Sequence, residues 1–241
     1  MYVFKRTGGL GNTLIHLTTL DTESTVLHDS IHDYELSNCL VIKDFTCVSY
    51  EGEQPDTPII LNPYMIHYVH TKIRNIIEPT LYMKRLIEKN MHTLDGVSCG
   101  MAIRRGSYCE DSRQYKDERS DQPHFFHCSE SGLECFKEKI RNSEGKIFIT
   151  SDSQSTLKSL MDEFGDKLVT IDTIFSIGSE HHTDYETKYI DYHNIYLLFF
   201  LLSKCPRLFT TGGNRDLVGF STYAYMAAIY GNIPFTIVFN N

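Results

Sequence analysis

Two adjacent arginines near the middle of the chain have the chemistry to bind a diphosphate. Residues 97–103 are predicted to form a buried strand, and Arg104 and Arg105 follow it directly. Open α/β sheets bind their ligands at the carboxyl ends of strands. A guanidinium donates paired, charge-assisted hydrogen bonds to phosphate oxygens, each contributing about 1.5 to 3 kcal/mol. The alternative is a surface ion pair with the nearby Glu110 or Asp111.

A glycine-rich turn near the start of the chain is a second candidate for phosphate binding. Gly8, Gly9 and Gly11 follow the first predicted strand, and Leu14 lies on the apolar face of the next helix. Glycines let backbone N–H groups and the positive end of a helix approach a phosphate. The pattern G-x-G-x-x-G is incomplete because Leu14 replaces its third glycine, and no P-loop Lys follows. A ligand-binding loop and an ordinary tight βα turn therefore both remain open.

Two further strand ends carry polar residues that lead into helices. Asp152 follows one strand and could bind a base or a ribose, or it could cap the next helix. Thr210 and Thr211 end another strand, and Ser221 and Thr222 open the apolar helix after it. The hydroxyl and amide groups of that helix start could bind a phosphate.

The elements that must position these residues alternate between strands and helices. Short apolar runs alternate with helix-period segments, which is typical of α/β proteins with largely parallel sheets. In the first half, strands are predicted at 2–5, 25–28, 40–42 and 47–50, and a helical stretch at 64–91 is broken at Pro79. In the second half, strands are predicted at 97–103, 146–150, 168–171, 208–211 and 235–239, and helices at 131–142, 153–164, 188–204 and 220–229.

Composition and charge exclude several classes of function. The 241 residues are 41% hydrophobic and 22% charged, which is typical of a folded globular protein. A net charge of −8 with no run of Lys or Arg argues against a nucleic-acid-binding surface. Seven widely spaced cysteines predict free thiols. Because no apolar run approaches the roughly 20 residues that span a bilayer, and no secretory signal is recognisable, we expect a cytoplasmic protein.

The sequence shows no convincing metal site. A D-x-D motif, whose paired carboxylates could hold a metal ion, is absent, and the nearest cluster is His181, His182 and Asp184 on a polar loop. Adjacent side chains on a loop rarely converge on one ion. His127 is predicted to pack within a loop and His193 within the core.

Taken in order, these segments resemble four motifs of the fucosyltransferase superfamily, which contains inverting, metal-independent α-1,2-, α-1,6- and protein O-fucosyltransferases. Residues 8–12 are similar to G-G-L-G-N, and residues 102–108 to H-x-R-R-G-D-Y. Residues 150–152 are similar to S-D-D, and residues 221–228 to S-T-F-S-W-W-A-A. The matches extend over nearly the whole chain.

The resemblance implies a GT-B-like α/β fold with two Rossmann-like lobes, largely parallel sheets and a cleft between the lobes. Residues 1–95 would form the acceptor-side lobe and residues 96–241 the lobe that binds the nucleotide sugar. The implied enzyme is a glycosyltransferase that moves a sugar with inversion from a nucleotide-diphosphate sugar, GDP-fucose being favoured, to a glycan hydroxyl. It would need no metal or other cofactor.

Carried over position by position, the resemblance also assigns site residues. Arg104 and Arg105 would hold the donor pyrophosphate and stabilise the charge that develops on the leaving group. Both side chains are expected to lie at a strand end and outside the core. The remaining expected donor-binding residues are Gly9, Gly11, Asn12, Ser107, Asp152, Ser221 and Thr222. Asp152 would meet the nucleobase, so Asp152→Asn is expected to weaken GDP binding more than UDP binding.

Departures from the family pattern leave the donor open. Ala102 stands where the family has a His that touches guanine, Ser107 replaces an Asp, and Ser153 replaces the second Asp of S-D-D. The alternatives are a glycosyltransferase with another donor sugar, a non-catalytic nucleotide- or carbohydrate-binding protein on the same scaffold, and a nucleotide-dependent enzyme of another doubly wound family. No motif identifies a general base; the candidates near a first-half strand end are His28, Asp29 and Asp33.

Overall fold

The computed structural model describes residues 2–4, 14, 17–18, 25–28, 39–43, 46–48, 72–106, 127–171, 185–214 and 220–240. In the first half of the chain, strands β1 (Tyr2–Phe4), β2 (Thr25–His28) and β4 (Thr46–Val48) form a parallel sheet in the order β1-β2-β4. Strand β3 (Leu40–Ile42) pairs antiparallel with β5 (Ile77–Pro79). The four strands predicted for this half are confirmed.

Strand β5 interrupts a stretch that the helical period predicts as continuous up to Pro79. The chain forms a short helix, α1 (Ile73–Ile76), then β5, and then helix α2 (Leu81–Asn90). The predicted break at Pro79 is confirmed, but the prediction of helix for residues 77–79 was wrong. A proline restricts the preceding residue to extended backbone, and β-branched Ile77 suits a strand.

The second half of the chain contains a five-stranded parallel sheet in the order β10-β9-β6-β7-β8. Its strands are β6 (Val97–Ile103), β7 (Lys146–Ser151), β8 (Leu168–Val169), β9 (Leu208–Asn214) and β10 (Phe235–Asn240). Its helices are α3 (Glu130–Asn142), α4 (Gln154–Phe164), α5 (Tyr185–Leu202) and α6 (Thr222–Gly231). The predicted α/β class with largely parallel sheets is confirmed.

The strand order creates a switch point between β6 and β9. The chain enters the sheet at central β6, moves outward through β7 to β8, and then returns to the other side of β6 with β9 and β10. In open α/β sheets, ligands bind outside the carboxyl ends of the strands at such a reversal. The ends of β6 and β9 are therefore where this fold would hold a ligand.

Side chains of β6 alternate between two buried clusters. Met101 and Ile103 pack with residues of α3 and α4, and we call this side of the sheet the α3 face. Ala102 packs with residues of α5 and α6 on the opposite side, the α6 face. Because strand side chains alternate with a period of two, continuing this pattern past Ile103 would direct Arg104 to the α6 face and Arg105 to the α3 face.

The cluster on the α6 face also contains apolar residues from before position 95, including Leu14, Leu17 and Ile73. Arg74 reinforces this packing, because its guanidinium donates at 2.7 and 2.8 Å to the carbonyl of Ile229 in the last turn of α6. A cation at the carboxyl end of a helix also interacts favourably with the helix dipole. The division of the chain at residues 95 and 96 stays a prediction.

Five cysteines within the described ranges have free thiols, as predicted: Cys39, Cys99, Cys128, Cys135 and Cys205. Among the helices that the structure describes, none has the length and apolar character needed to cross a membrane.

Candidate functional site

Residues 104–106 leave β6 in a turn that requires glycine at its last position. Gly106 has a φ of +48°, a left-handed conformation that is unfavourable for residues with a Cβ. A Cβ at Gly106 would also overlap the imidazole of His127, which is fully buried against the turn. The packing predicted for His127 is therefore confirmed.

Asp152 holds this turn from the end of the neighbouring strand. Its Oδ1 accepts a hydrogen bond from the Arg105 N–H at 2.6 Å, and its Oδ2 accepts one from the Gly106 N–H at 3.0 Å. The cap of helix α4 is Ser153 instead, whose Oγ accepts from the Thr156 N–H at 3.0 Å. The helix-cap alternative considered for Asp152 was wrong.

Asp152 is an exposed residue, although the protein around it removes water from its carboxyl group. Desolvation by that protein raises its pKa, while the Arg104 guanidinium and the backbone N–H groups of Arg105 and Gly106 act in the opposite direction. The turn after β6 therefore lies against this carboxyl.

Arg105 points to the α3 face and is only 2% exposed. Its Nη1 donates to the Cys128 carbonyl at 2.8 Å, and its Nη2 pairs with the carboxylate of Glu130, which is 78% exposed. The expectation that both arginines lie outside the core was wrong for Arg105, because strand alternation turns it beneath the start of α3. Arg105 pairs with Glu130, whereas Glu110 and Asp111, the partners considered from the sequence, lie outside the described residues.

Arg104 is half-buried and lies at the switch point. Its N–H donates to Thr211 Oγ1 at 2.9 Å, and the Thr211 hydroxyl donates to the Ala102 carbonyl at 3.1 Å. Its carbonyl accepts from the Cys128 N–H at 2.7 Å. Thr211, in the middle of β9, therefore joins this strand to the end of β6 and fixes the Arg104 backbone there.

The start of α6 meets the same threonine. The Ser221 N–H donates to the Thr211 carbonyl at 2.7 Å. Ser221 occupies the N-cap position but its hydroxyl makes no capping hydrogen bond, and Thr222, the first residue of α6, is half-buried. The positive end of the α6 dipole thus lies beside the Arg104 backbone, an arrangement suited to an anion.

A second layer of residues behind the site was missed by sequence reasoning. Asn240 in β10 accepts from the Ser129 N–H and donates to the His127 carbonyl, both at 2.9 Å. These bonds hold residues 127–129, which supply the carbonyl that Arg105 binds. No local pattern reveals this role of Asn240, because its partners lie more than 100 residues earlier in the chain. The acidic Glu130, directly before the predicted helix 131–142, was a detectable signal.

The structure brings together five of the nine predicted site residues: Arg104, Arg105, Asp152, Ser221 and Thr222. The other four, Gly9, Gly11, Asn12 and Ser107, lie outside the described residues, as do Asp29, Asp33 and the loop cluster at 181–184. Across the described part of the chain, no three His, Cys, Asp or Glu side chains group as a metal site would require. What the site offers is a cation, a helix start and hydroxyl groups at the switch point between β6 and β9.

Comparison with solved structures shows where the same fold occurs. A structure of the α-1,6-fucosyltransferase NodZ co-crystallized with GDP matches with a TM-score of 0.56 and 12% identity, covering 94% of this chain and 90% of NodZ. A NodZ structure soaked with GDP-fucose matches equally, over 95% and 91% of the two chains. A selenomethionine form of NodZ from Bradyrhizobium also gives a TM-score of 0.56.

Other comparisons add little. POFUT1 in complex with GDP reaches a TM-score of only 0.40 at 11% identity, a similarity too low to support a conclusion. No protein-family model and no curated protein matches the chain. The chain thus shares the NodZ fold, and the GT-B-like fold implied by the four motifs is confirmed.

Proposed function

We propose that this protein is a glycosyltransferase that binds a nucleoside-diphosphate sugar at the carboxyl edge of the five-stranded sheet. The donor is GDP-fucose, and the sugar passes with inversion to a hydroxyl of a glycan acceptor without a metal. One observation carries the proposal: a chain with the NodZ fold over 94% of its length has Arg104 and the start of α6 at its switch point. NodZ itself has been crystallised with GDP and soaked with GDP-fucose.

The proposed mechanism depends on charge that develops as the sugar leaves. The sugar becomes oxocarbenium-like while negative charge builds on the departing diphosphate. Preorganised cations and amide dipoles stabilise that charge without having to reorganise. Arg104 would contact the diphosphate, the amides at the start of α6 would face it, and the Ser221 hydroxyl would donate to it.

Arg105 contributes in a different way in this proposal. Its guanidinium is bound to the Cys128 carbonyl and to Glu130, so it stabilises the base of the turn on which Arg104 stands. The other proposed donor-binding residues are Gly9, Gly11, Asn12, Ser107, Asp152 and Thr222. Residues 1–95 would supply the acceptor side.

The direct test is release of GDP from GDP-fucose, measured with and without a panel of glycan acceptors. Wild type should release GDP faster with an accepted glycan, and Arg104→Ala should not. UDP-sugars and GDP-mannose serve as donor controls. If one of these control donors were turned over faster than GDP-fucose, the protein would still be a glycosyltransferase, but that sugar nucleotide would be its donor.

A second candidate is a protein that binds nucleotides or carbohydrates on this scaffold without turnover. The buried Ala102 favours it, because the imidazole of the family motif is missing at the end of β6. Calorimetry that detects GDP binding, together with no GDP release in the presence of any acceptor, would favour this candidate over the enzyme.

A further inference from the structure

Asp152 is bound to the backbone of the turn that carries Arg104. Both of its carboxylate oxygens accept backbone N–H groups, one from Arg105 and one from Gly106. We infer that Asp152 is a positioning residue, which holds the Arg104 turn against the end of β7 and does not read the nucleobase. The effect of this role on donor binding rests on the function proposed above.

The geometry of the carboxylate leads to this inference. Each carboxylate oxygen can accept more than one hydrogen bond, but only one side of the group presents both oxygens together. The N–H groups of Arg105 and Gly106 are successive along the chain and engage both oxygens. The imide and amine of guanine would need the same paired oxygens, so the turn and the base would compete for one face.

The turn gains its shape from these two bonds. Hydrogen bonds to an ionised acceptor are stronger than neutral ones and fix the donors in place. Gly106 is already in a left-handed conformation beneath His127, and Arg104 is anchored by Thr211. Removing the carboxylate frees two amides in the middle of this arrangement, and the Arg104 guanidinium then loses its preorganised position.

Within the described ranges, the charged and titratable groups named around Asp152 follow β6 or lie at the start of α3. Arg104 and Arg105 follow β6, and Cys128 and Glu130 lie at the start of α3. The surrounding protein raises the pKa of Asp152, so its carboxyl takes up a proton at a higher pH than an ordinary Asp. Protonation weakens one of the two bonds and should be visible at the amides of Arg105 and Gly106.

The deciding experiment compares three ligands that share a diphosphate and differ in the base. GDP, UDP and inorganic pyrophosphate are titrated by calorimetry into wild type, Asp152→Asn and the control Asp162→Asn, which changes an exposed Asp in α4. We expect Asp152→Asn to weaken all three by the same factor, about tenfold, with the ratio of GDP to UDP affinity unchanged. Asp162→Asn should leave all three unaffected.

Two results would overturn the inference. If Asp152→Asn weakened GDP and left UDP and pyrophosphate unchanged, Asp152 would contact the base. If it changed none of the three, the turn would not need the carboxylate. Thermal melting of each variant ensures that the comparison is made between folded proteins.

A second measurement uses wild type without ligand and so does not depend on the proposed function. In ¹⁵N-labelled protein, the amide resonances of Arg105 and Gly106 should shift together with pH, with a midpoint above the ordinary range of Asp. Amide resonances that do not titrate would overturn the positioning role. If wild type bound none of the three ligands but showed this titration, the proposed donor site would be refuted. The hydrogen bonds from the turn to Asp152 would still be supported.

Discussion

Two adjacent arginines differ in burial and in binding partners on the α3 face and the α6 face of the five-stranded sheet. On the α3 face, Arg105 is buried and its guanidinium binds Cys128 and Glu130. On the α6 face, the backbone of half-buried Arg104 is bound to Thr211, which also binds the start of α6. Residues of the same type, one position apart, therefore serve packing in one case and, in the proposed function, ligand binding in the other.

Burial explains the difference between them. A buried guanidinium is costly unless it is paired and hydrogen-bonded, and the start of α3 supplies both kinds of partner to Arg105. A half-buried cation keeps part of its hydration, which an anionic ligand can replace. A pair of arginines at a strand end is thus better treated as two sites than as one clamp.

The largest effect should follow from removing the cation on the α6 face. We expect Arg104→Ala to reduce kcat/KM for transfer about 100- to 1,000-fold, the usual cost of removing one preorganised donor to a developing charge. The melting temperature should change little. Arg104→Lys should recover only part of the activity, because an ammonium lacks the bidentate fork.

Steady-state GDP release and thermal melting measure these effects. Arg104→Ala with near wild-type transfer would mean that the α6 face does not carry the chemistry.

The next effect should appear in stability when the cation on the α3 face is removed. Arg105→Met should lower the free energy of unfolding by about 2 to 3 kcal/mol, because it leaves the Cys128 carbonyl without its donor and breaks the pair with Glu130. Urea unfolding measures this. A variant as stable as wild type but inactive would contradict the comparison, since Arg105 would then act on the ligand directly.

A smaller effect is expected when only the acidic partner of Arg105 is changed. Glu130→Gln should cost about 1 kcal/mol, since the Glu130 side chain is mostly exposed and its charge is screened by water. Gln can still accept a hydrogen bond from the guanidinium. The control is Glu134→Gln on the next turn of α3, whose pairing with Lys137 lies at the surface. Equal losses of unfolding free energy in the two variants would show that the burial of Arg105 does not strengthen its ion pair with Glu130.

The smallest effect should come from chelation. EDTA is expected to leave GDP release almost unchanged, because Arg104 and the amides of α6 would neutralise the leaving group. The check is activity in EDTA, then with added Mg²⁺ or Mn²⁺. Activity that disappears in EDTA and returns with either ion would show that a metal ion, and not Arg104, is the main cation that neutralises the leaving group.

Much of the fold could be predicted from the residues alone. Apolar runs of period two and helices of period 3.6 are local signals, and they located the strands and helices of the second half to within a few residues. They failed at residues 77–79, where pairing with β3 and Pro79 outweighed the helical period. The polar residues at strand ends were also recognisable, because chemistry in α/β proteins concentrates there.

Sequence by itself determined the α/β class, the positions of most elements and the presence of Arg104, Arg105, Asp152 and Ser221 at their ends. Only the tertiary structure decided the strand order, which creates the switch point between β6 and β9. It also decided which arginine is buried and what Asp152 binds. The physical reason is distance along the chain: Asp152 meets Arg105 across 47 residues, and Asn240 meets His127 across 113. Contacts of that separation form through packing of the whole sheet and leave no local pattern.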